Sequence, residues 1–167
     1  MTTTSVMSLS IPGLSVSAAY PGDAARPAAA RDGGTGAADA SSAPQSVLIA
    51  EDHEDSRDAL RTLLDAFGYR VHVAVNGREA VQMALATSPD LVLMDMMMPE
   101  VDGFEATRTL RASPTFRQVP IIALTAMEGA REQVLAAGCD DFMSKPLDVR
   151  AFLERVRGWL GSGRTVS

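Results

Sequence analysis

The pattern of hydrophobic and polar positions changes after residue 45 and then repeats. Short runs of mainly apolar residues alternate with longer segments in which apolar residues recur every three or four positions. The short runs predict β-strands at residues 46–50, 71–75, 91–94, 121–125 and 141–144. Since each run precedes a segment typical of an amphipathic helix, the chain predicts five consecutive strand–helix units.

The helical segments also carry signals for their ends. Gly68 follows the first segment and suits a helix C-terminus. Asn76 with Glu79 three residues later is typical of a pair that caps a helix start. Further helices are expected after Gly103, near residues 128–137, and at the end of the repeat.

Nearly continuous apolar strands that alternate with helices are typical of a parallel sheet covered on both faces, with right-handed crossovers. We therefore expect an α/β protein, a doubly wound (βα)5 sandwich around a five-stranded parallel sheet. Such sheets bind ligands outside the carboxyl ends of their strands, where the strand order reverses. Residues that follow the strands are therefore the candidates for a site.

The first 45 residues differ from the repeat. Residues 21–45 contain no Leu, Ile, Val, Met, Phe or Trp, so they cannot bury enough apolar surface to offset the entropy lost on ordering. We expect a disordered extension over residues 1–45, a folded domain over residues 46–160 and a flexible tail over residues 161–167. Residues 1–20 are more apolar, and they suit either a short docking segment or an unstructured leader.

Composition narrows the class of protein. A length of 167 residues with 46% hydrophobic residues suits one domain with a real core. The net charge of -6 argues against nucleic-acid binding. A single cysteine, Cys139, excludes an internal disulfide, and we expect an inert thiol in a reducing compartment. No secretory signal or membrane span is apparent, so we expect a cytoplasmic protein.

Polar residues of complementary chemistry follow the predicted strands. They are Glu51 and Asp52 after the first strand, Asp95 after the third, Thr125 at the end of the fourth, and Lys145 after the fifth. Carboxylates about 4 Å apart repel by roughly 4 kcal/mol per pair at an effective dielectric near 20. A hard divalent cation relieves this repulsion, and an all-oxygen site suits Mg²⁺, with Mn²⁺ as a substitute.

The remaining polar groups suit phosphate chemistry. An aspartate can attack phosphorus and form an acyl phosphate. Lys145 and Thr125 would then surround a phosphoryl group on Asp95, together with the metal. Phosphoryl transfer requires little beyond positioning and charge stabilisation.

Four segments, in order and at similar separations, make the chain closely resemble the receiver domain of two-component response regulators. These are "LIAEDHED", "LVLMDMMMPEVDGFE", "IIALTA" and "DDFMSKPL". The resemblance extends from Val47 to about Leu160 and implies the flavodoxin-like receiver fold.

The resemblance implies a metal-dependent phosphoacceptor site. Asp95 would be the phosphoacceptor and a metal ligand, and Asp52 would bind Mg²⁺ directly. Glu51, where the family more commonly has Asp, would bind it through water. The backbone carbonyl of Met97 would be a further ligand.

The resemblance also implies a switch. Thr125 and Lys145 would contact the phosphoryl oxygens, and the Lys145–Pro146 peptide bond would be cis. Thr125 would move toward the phosphoryl group, and Phe142 would enter the space it vacates. Phe142 lacks the hydroxyl that Tyr would bring at this position.

The predicted function is signalling and not enzymatic turnover. A sensor histidine kinase or a phosphotransfer protein would supply the phosphoryl group. A downstream protein would bind the face formed by the fourth helix, fifth strand and fifth helix, and phosphorylation-linked dimerisation stays open. Met97 and Met127 are apolar at the positions that flank the hydrolytic water, so we expect slow autodephosphorylation.

Other interpretations are weaker. An aspartyl-nucleophile phosphatase of the haloacid dehalogenase type would need a second Asp where Met97 stands. A piece of a hybrid kinase, or of a regulator with an output domain, is a third interpretation. The chain ends soon after the last predicted helix, so we expect no output domain within it. We expect His53 and His72 to be solvent-facing histidines without a role.

Overall fold

Five strands and five helices alternate along the chain in the computed structural model, which describes residues 10–11, 14–15 and 43–161. They are β1 (Ser46–Ala50), α1 (Glu54–Ala66), β2 (Arg70–Ala74), α2 (Gly77–Thr87), β3 (Leu91–Asp95), α3 (Gly103–Ala112), β4 (Ile121–Thr125), α4 (Arg131–Ala137), β5 (Asp141–Ser144) and α5 (Val149–Gly161). A short 3-10 helix, Pro114–Phe116, lies between α3 and β4. Among the described helices, none combines the length and apolar character needed to cross a membrane.

The five strands form one parallel sheet in the order β2-β1-β3-β4-β5. The prediction of a doubly wound α/β fold is therefore confirmed. β2 is added on one side of β1, whereas β3, β4 and β5 are added in turn on its other side. The strand order thus reverses between β1 and β3, so their carboxyl ends lie side by side at the reversal.

The sheet is buried on both faces, which explains its continuous apolar strands. Alternate residues of β1 and β3 belong to two separate core clusters. One cluster joins Leu48 and Met94 to α2, α3 and α4. The other joins Ile49 and Leu93 to α1 and α5. Because both faces need apolar residues, the strands lack the alternation of a half-exposed sheet.

The predicted start of α4 was wrong, and β2 lies one residue earlier than predicted. β2 begins at Arg70, because its ladder with β1 starts at the Ser46–Arg70 pair, and it ends before Val75, which is 42% exposed. α4 begins at Arg131 and not near residue 128, because Gly129 has a φ of 71°, outside the helical region. Elsewhere the predicted strands and helices agree with the structure to within a residue or two.

A second, three-stranded sheet involves the N-terminal segment. Ser10–Ile11 pairs antiparallel with Leu14–Ser15, which pairs in parallel with Leu147–Asp148. Residues 16–42 and 162–167 lie outside the described residues. The predictions of a disordered extension and a flexible tail fall largely on those residues and stay predictions.

Candidate functional site

The carboxyl ends of the strands bring together side chains from distant parts of the sequence. Lys145 follows β5, and its Nζ donates hydrogen bonds to Glu51 Oε2 at 2.7 Å and to Asp95 Oδ2 at 3.1 Å. Glu51 follows β1, and Asp95 is the last residue of β3. One ammonium group therefore bridges two carboxylates that belong to adjacent strands.

Thr125 lies at the end of β4, between β3 and β5, and is buried. Its Oγ1 accepts a hydrogen bond from the backbone N–H of Met127 at 3.0 Å. Its carbonyl oxygen accepts a hydrogen bond from the backbone N–H of Lys145 at 2.8 Å. The hydroxyl and the ammonium group are thus held at the same sheet edge by backbone contacts.

Asp95 is enclosed by the turn that follows it. Its side chain is 5% exposed, and its Oδ1 accepts a hydrogen bond from the backbone N–H of Met97 at 3.0 Å. Gly103 begins α3 so close to this strand end that a Cβ atom there would lie 2.3 Å from the carbonyl oxygen of Asp95. Only glycine allows α3 to start this close to the strand.

The loop between β1 and α1 is held by an arginine from the helix it precedes. Nη1 of Arg57 donates hydrogen bonds to the carbonyl oxygens of Glu51 at 3.1 Å and of Asp52 at 3.3 Å. The backbone N–H of His53 donates to Glu51 Oε1 at 3.1 Å. These bonds fix the backbone that carries both acidic side chains.

Burial and charge shift the protonation of the bridged groups. Burial raises the pKa of the Glu51 carboxyl, and the nearby Asp95 charge adds to this, although the hydrogen bond from Lys145 acts in the opposite direction. Burial alone would lower the pKa of Lys145, but the hydrogen bond to Glu51 and the two carboxylate charges outweigh it and raise the pKa. Lys145 therefore stays charged at neutral pH.

The acidic residues fit a divalent cation. Asp52 Oδ1 is buried and has no hydrogen-bond partner within the described part of the chain. A buried carboxylate oxygen without a partner is costly, and a bound cation would compensate it. Glu51, Asp52 and His53 offer ligand atoms that all lie within 4.8 Å of one another. The two carboxylates are the hard oxygen donors that Mg²⁺ and Mn²⁺ prefer.

The other residues singled out from the sequence lie around this edge. The Lys145–Pro146 peptide bond is cis, the conformation that the resemblance implies. Met97 is 61% exposed. Phe142 and Met127 are half-buried and pack against the core cluster on the side of α2, α3 and α4.

Two expectations about remote residues had different outcomes. Cys139 is buried, and burial raises the pKa of its thiol, which suits an inert cysteine. His72 is half-buried and not solvent-facing, because α1 and α2 both pack against β2.

Sequence reasoning assigned no role to two residues beside the site. Arg57 lies in the first turn of α1, where the helix dipole favours acidic residues. A basic residue at this position was the sequence signal that could have pointed to its role. The His53 side chain is 79% exposed, as expected of a solvent-facing histidine, but its Nδ1 lies 3.6 Å from Asp52 Oδ1.

Comparison with known proteins identifies the family. The family model of the response regulator receiver domain matches residues 47–157. The chain belongs to this receiver family. The match begins in β1, ends within α5, and includes every strand end that contributes to the site.

Two relatives that are similar to this chain share the name DivK. The polar-differentiation response regulator DivK of Brucella anthropi is 41% identical over 120 residues, which cover 71% of this chain and 98% of the relative. DivK of Brucella ovis is 40% identical over 119 residues, covering 70% and 97% respectively. Both relatives are therefore matched over nearly their whole length.

Solved receiver structures share the fold. The receiver domain of sensor histidine kinase PA1611 from Pseudomonas aeruginosa is 38% identical, with a TM-score of 0.67 over 72% of this chain and all of that one. That structure holds a magnesium ion coordinated in its active-site cleft. The chemotaxis response regulator CheY4 of Vibrio cholerae is 28% identical, with a TM-score of 0.67 over 71% of this chain and all of that one.

Proposed function

We propose that this receiver domain takes a phosphoryl group onto Asp95 in a Mg²⁺-dependent reaction and signals through phosphorylation-dependent protein binding. The donor would be the phosphohistidine of a cytoplasmic sensor histidine kinase or phosphotransfer protein. One observation carries the proposal. Lys145 joins Asp95 to Glu51 at the sheet edge, beside a buried Asp52 oxygen that has no hydrogen-bond partner in the described part of the chain.

The transfer exchanges one bond to phosphorus for another. An Asp95 carboxylate oxygen attacks phosphorus, and the phosphorus–nitrogen bond of the donor imidazole breaks with its electron pair remaining on nitrogen. Lys145 would leave its bond to Asp95 Oδ2 and neutralise the transferred oxygens, while the Thr125 hydroxyl donates to them. Mg²⁺ held directly by Asp52, Asp95 and the Met97 carbonyl, and by Glu51 through water, would supply further positive charge.

The output would be a change in the surface formed by α4, β5 and α5. Phosphorylation would draw Thr125 toward Asp95, and Phe142 would move inward. Phe142 stands beside Asp141, whose carboxylate accepts hydrogen bonds from Arg155 Nη1 at 2.7 Å and from Trp159 Nε1 at 3.0 Å. These bonds tie β5 to α5, so a shift of β5 would be transmitted to the helix that a downstream protein binds.

The phosphorylated state is expected to be long-lived. Met97 and Met127 can neither orient a water molecule by hydrogen bonding nor act as a base. Both lie beside groups of the site, since their backbone N–H groups donate to Asp95 and Thr125.

Intact-mass measurement tests the proposal. The full chain is incubated with a small acyl phosphate donor and Mg²⁺, alongside Asp95→Asn and the matched control Asp102→Asn. Asp102 is exposed and caps α3, a role that Asn also performs. We expect the parent and the control to gain one phosphoryl group and Asp95→Asn to gain none. A parent that gains no phosphoryl group, or an Asp95→Asn variant that gains as much as the parent, would overturn the proposal.

A further inference from the structure

His53 occupies a helix-capping position without capping the helix. It is the N-cap residue of α1, where Ser, Thr, Asp or Asn normally accepts a hydrogen bond from the first turn, and its side chain makes no such bond. Its Nδ1 lies 3.6 Å from Asp52 Oδ1 and 3.8 Å from Glu51 Oε1. The imidazole is therefore placed beside the acidic pair.

One carboxylate oxygen beside the imidazole lacks a partner. Asp52 Oδ1, which His53 approaches, is buried and has no hydrogen-bond partner among residues 43–161. The ligand atoms of Glu51, Asp52 and His53 lie within 4.8 Å of one another. Adjacent ligand atoms of a six-coordinate ion lie roughly 3 Å apart, because each bond is about 2.1 Å long. The distances of 3.6 Å and 3.8 Å from His53 Nδ1 to the two carboxylate oxygens are close to this spacing.

We propose that His53 is a nitrogen ligand of the metal site, and that it raises the affinity of the site for later transition-metal ions such as Cu²⁺ relative to Mg²⁺. This inference rests on the proposed metal site. Mg²⁺ prefers oxygen and retains its water, whereas imidazole is a good ligand for divalent iron, nickel, copper and zinc. A nitrogen donor therefore adds affinity for these ions that Mg²⁺ does not share.

The chain contains an internal control. Its other histidine, His72, lies in the middle of β2 and pairs with Leu48, away from the carboxyl ends of the strands. A nitrogen signal from a bound ion can thus be assigned by substituting each histidine in turn.

Pulsed electron paramagnetic resonance of the full chain loaded with Cu²⁺ tests the ligand directly. We expect hyperfine coupling to ¹⁴N in the parent and in His72→Gln, and its loss in His53→Gln. Calorimetric titration should show about 10-fold weaker Cu²⁺ binding in His53→Gln and little change in Mg²⁺ binding. Circular dichroism and a second variant, His53→Asn, which can cap α1, separate ligand loss from misfolding.

Two results would overturn the inference: no ¹⁴N coupling in the parent, or coupling that persists in His53→Gln. Phosphorylation by a small donor with Mg²⁺ distinguishes this failure from failure of the proposed function. If Asp95 accepts phosphate while nitrogen coupling is absent, only the His53 inference fails. If coupling is present and Asp95 accepts no phosphate, the phosphoacceptor proposal fails.

Discussion

Lys145 Nζ lies 2.7 Å from Glu51 Oε2, and this ion pair joins residues that are 94 positions apart in the chain. The Glu51 side chain is 1% exposed, and Lys145 is the cation that compensates its charge. Lys145 also pairs with Asp95, so Glu51 depends on this contact more than Lys145 does.

Replacing Lys145 with Met should destabilise the domain at neutral pH. The loss would be roughly 1–3 kcal/mol, because a buried charged acceptor is left without its donor. Urea unfolding followed by circular dichroism measures it. The double variant Lys145→Met/Glu51→Gln removes the uncompensated charge and should recover part of the loss. Unchanged stability in the single variant would mean that the pair is not important for folding.

Arg57 should act on metal affinity through the loop that it holds. Arg57→Met removes both hydrogen bonds to the carbonyls of Glu51 and Asp52, so Mg²⁺ binding should weaken by about 10-fold, as for other residues that orient metal ligands. Arg61→Met, one turn along the same helix, removes only an exposed pair with Asp65 and is the control. Calorimetric titration of both variants measures the difference. Equal Mg²⁺ affinity would exclude the positioning role.

Introducing an amide at Met97 should shorten the lifetime of the phosphorylated state. In Met97→Asn the exposed side chain can orient water, so loss of phosphate should accelerate by roughly 3- to 10-fold, less than a true general base provides. Time-resolved intact-mass measurement after removal of the donor gives the rate. Met97→Leu, which stays apolar, should match the parent. Equal rates for all three proteins would show that Met97 does not limit hydrolysis.

The hydrogen bonds that Arg155 and Trp159 of α5 donate to Asp141 of β5 should weaken in acid. Burial alone would raise the pKa of Asp141, but hydrogen bonds from Trp159, Arg155 and its own strand, with the Arg155 charge, lower it below the ordinary value. A lowered pKa in the folded state means that the carboxylate adds stability above about pH 4, and that this stability is lost as the pH falls further.

The comparison of parent with Asp141→Asn isolates this contribution. The difference in their free energies of unfolding should be constant near neutral pH and should shrink below about pH 4. Fluorescence of Trp159, the single tryptophan, follows the unfolding. A difference that does not change with pH would show that the Asp141 charge has no role.

The sequence predicted the fold and the position of the candidate site because both depend on local patterns. Buried strands are continuous apolar runs, and parallel strands end at a common edge, so Glu51, Asp95 and Lys145 could be expected to meet. The start of α4 was missed because glycine permits a turn as readily as a helix. The role of Arg57 depends on a side chain that folds back onto its own loop, and no periodicity reveals such a contact.

The reversal of strand order between β1 and β3 has a practical consequence. A chain cut between α2 and β3 would place Glu51 and Asp52 on one fragment, and Asp95 and Lys145 on the other. Neither fragment alone contains all four of these residues, so phosphorylation of Asp95 in a mixture of the fragments would require the two pieces to reassemble. The domain could thus be developed as a split reporter of proximity between two proteins fused to its fragments.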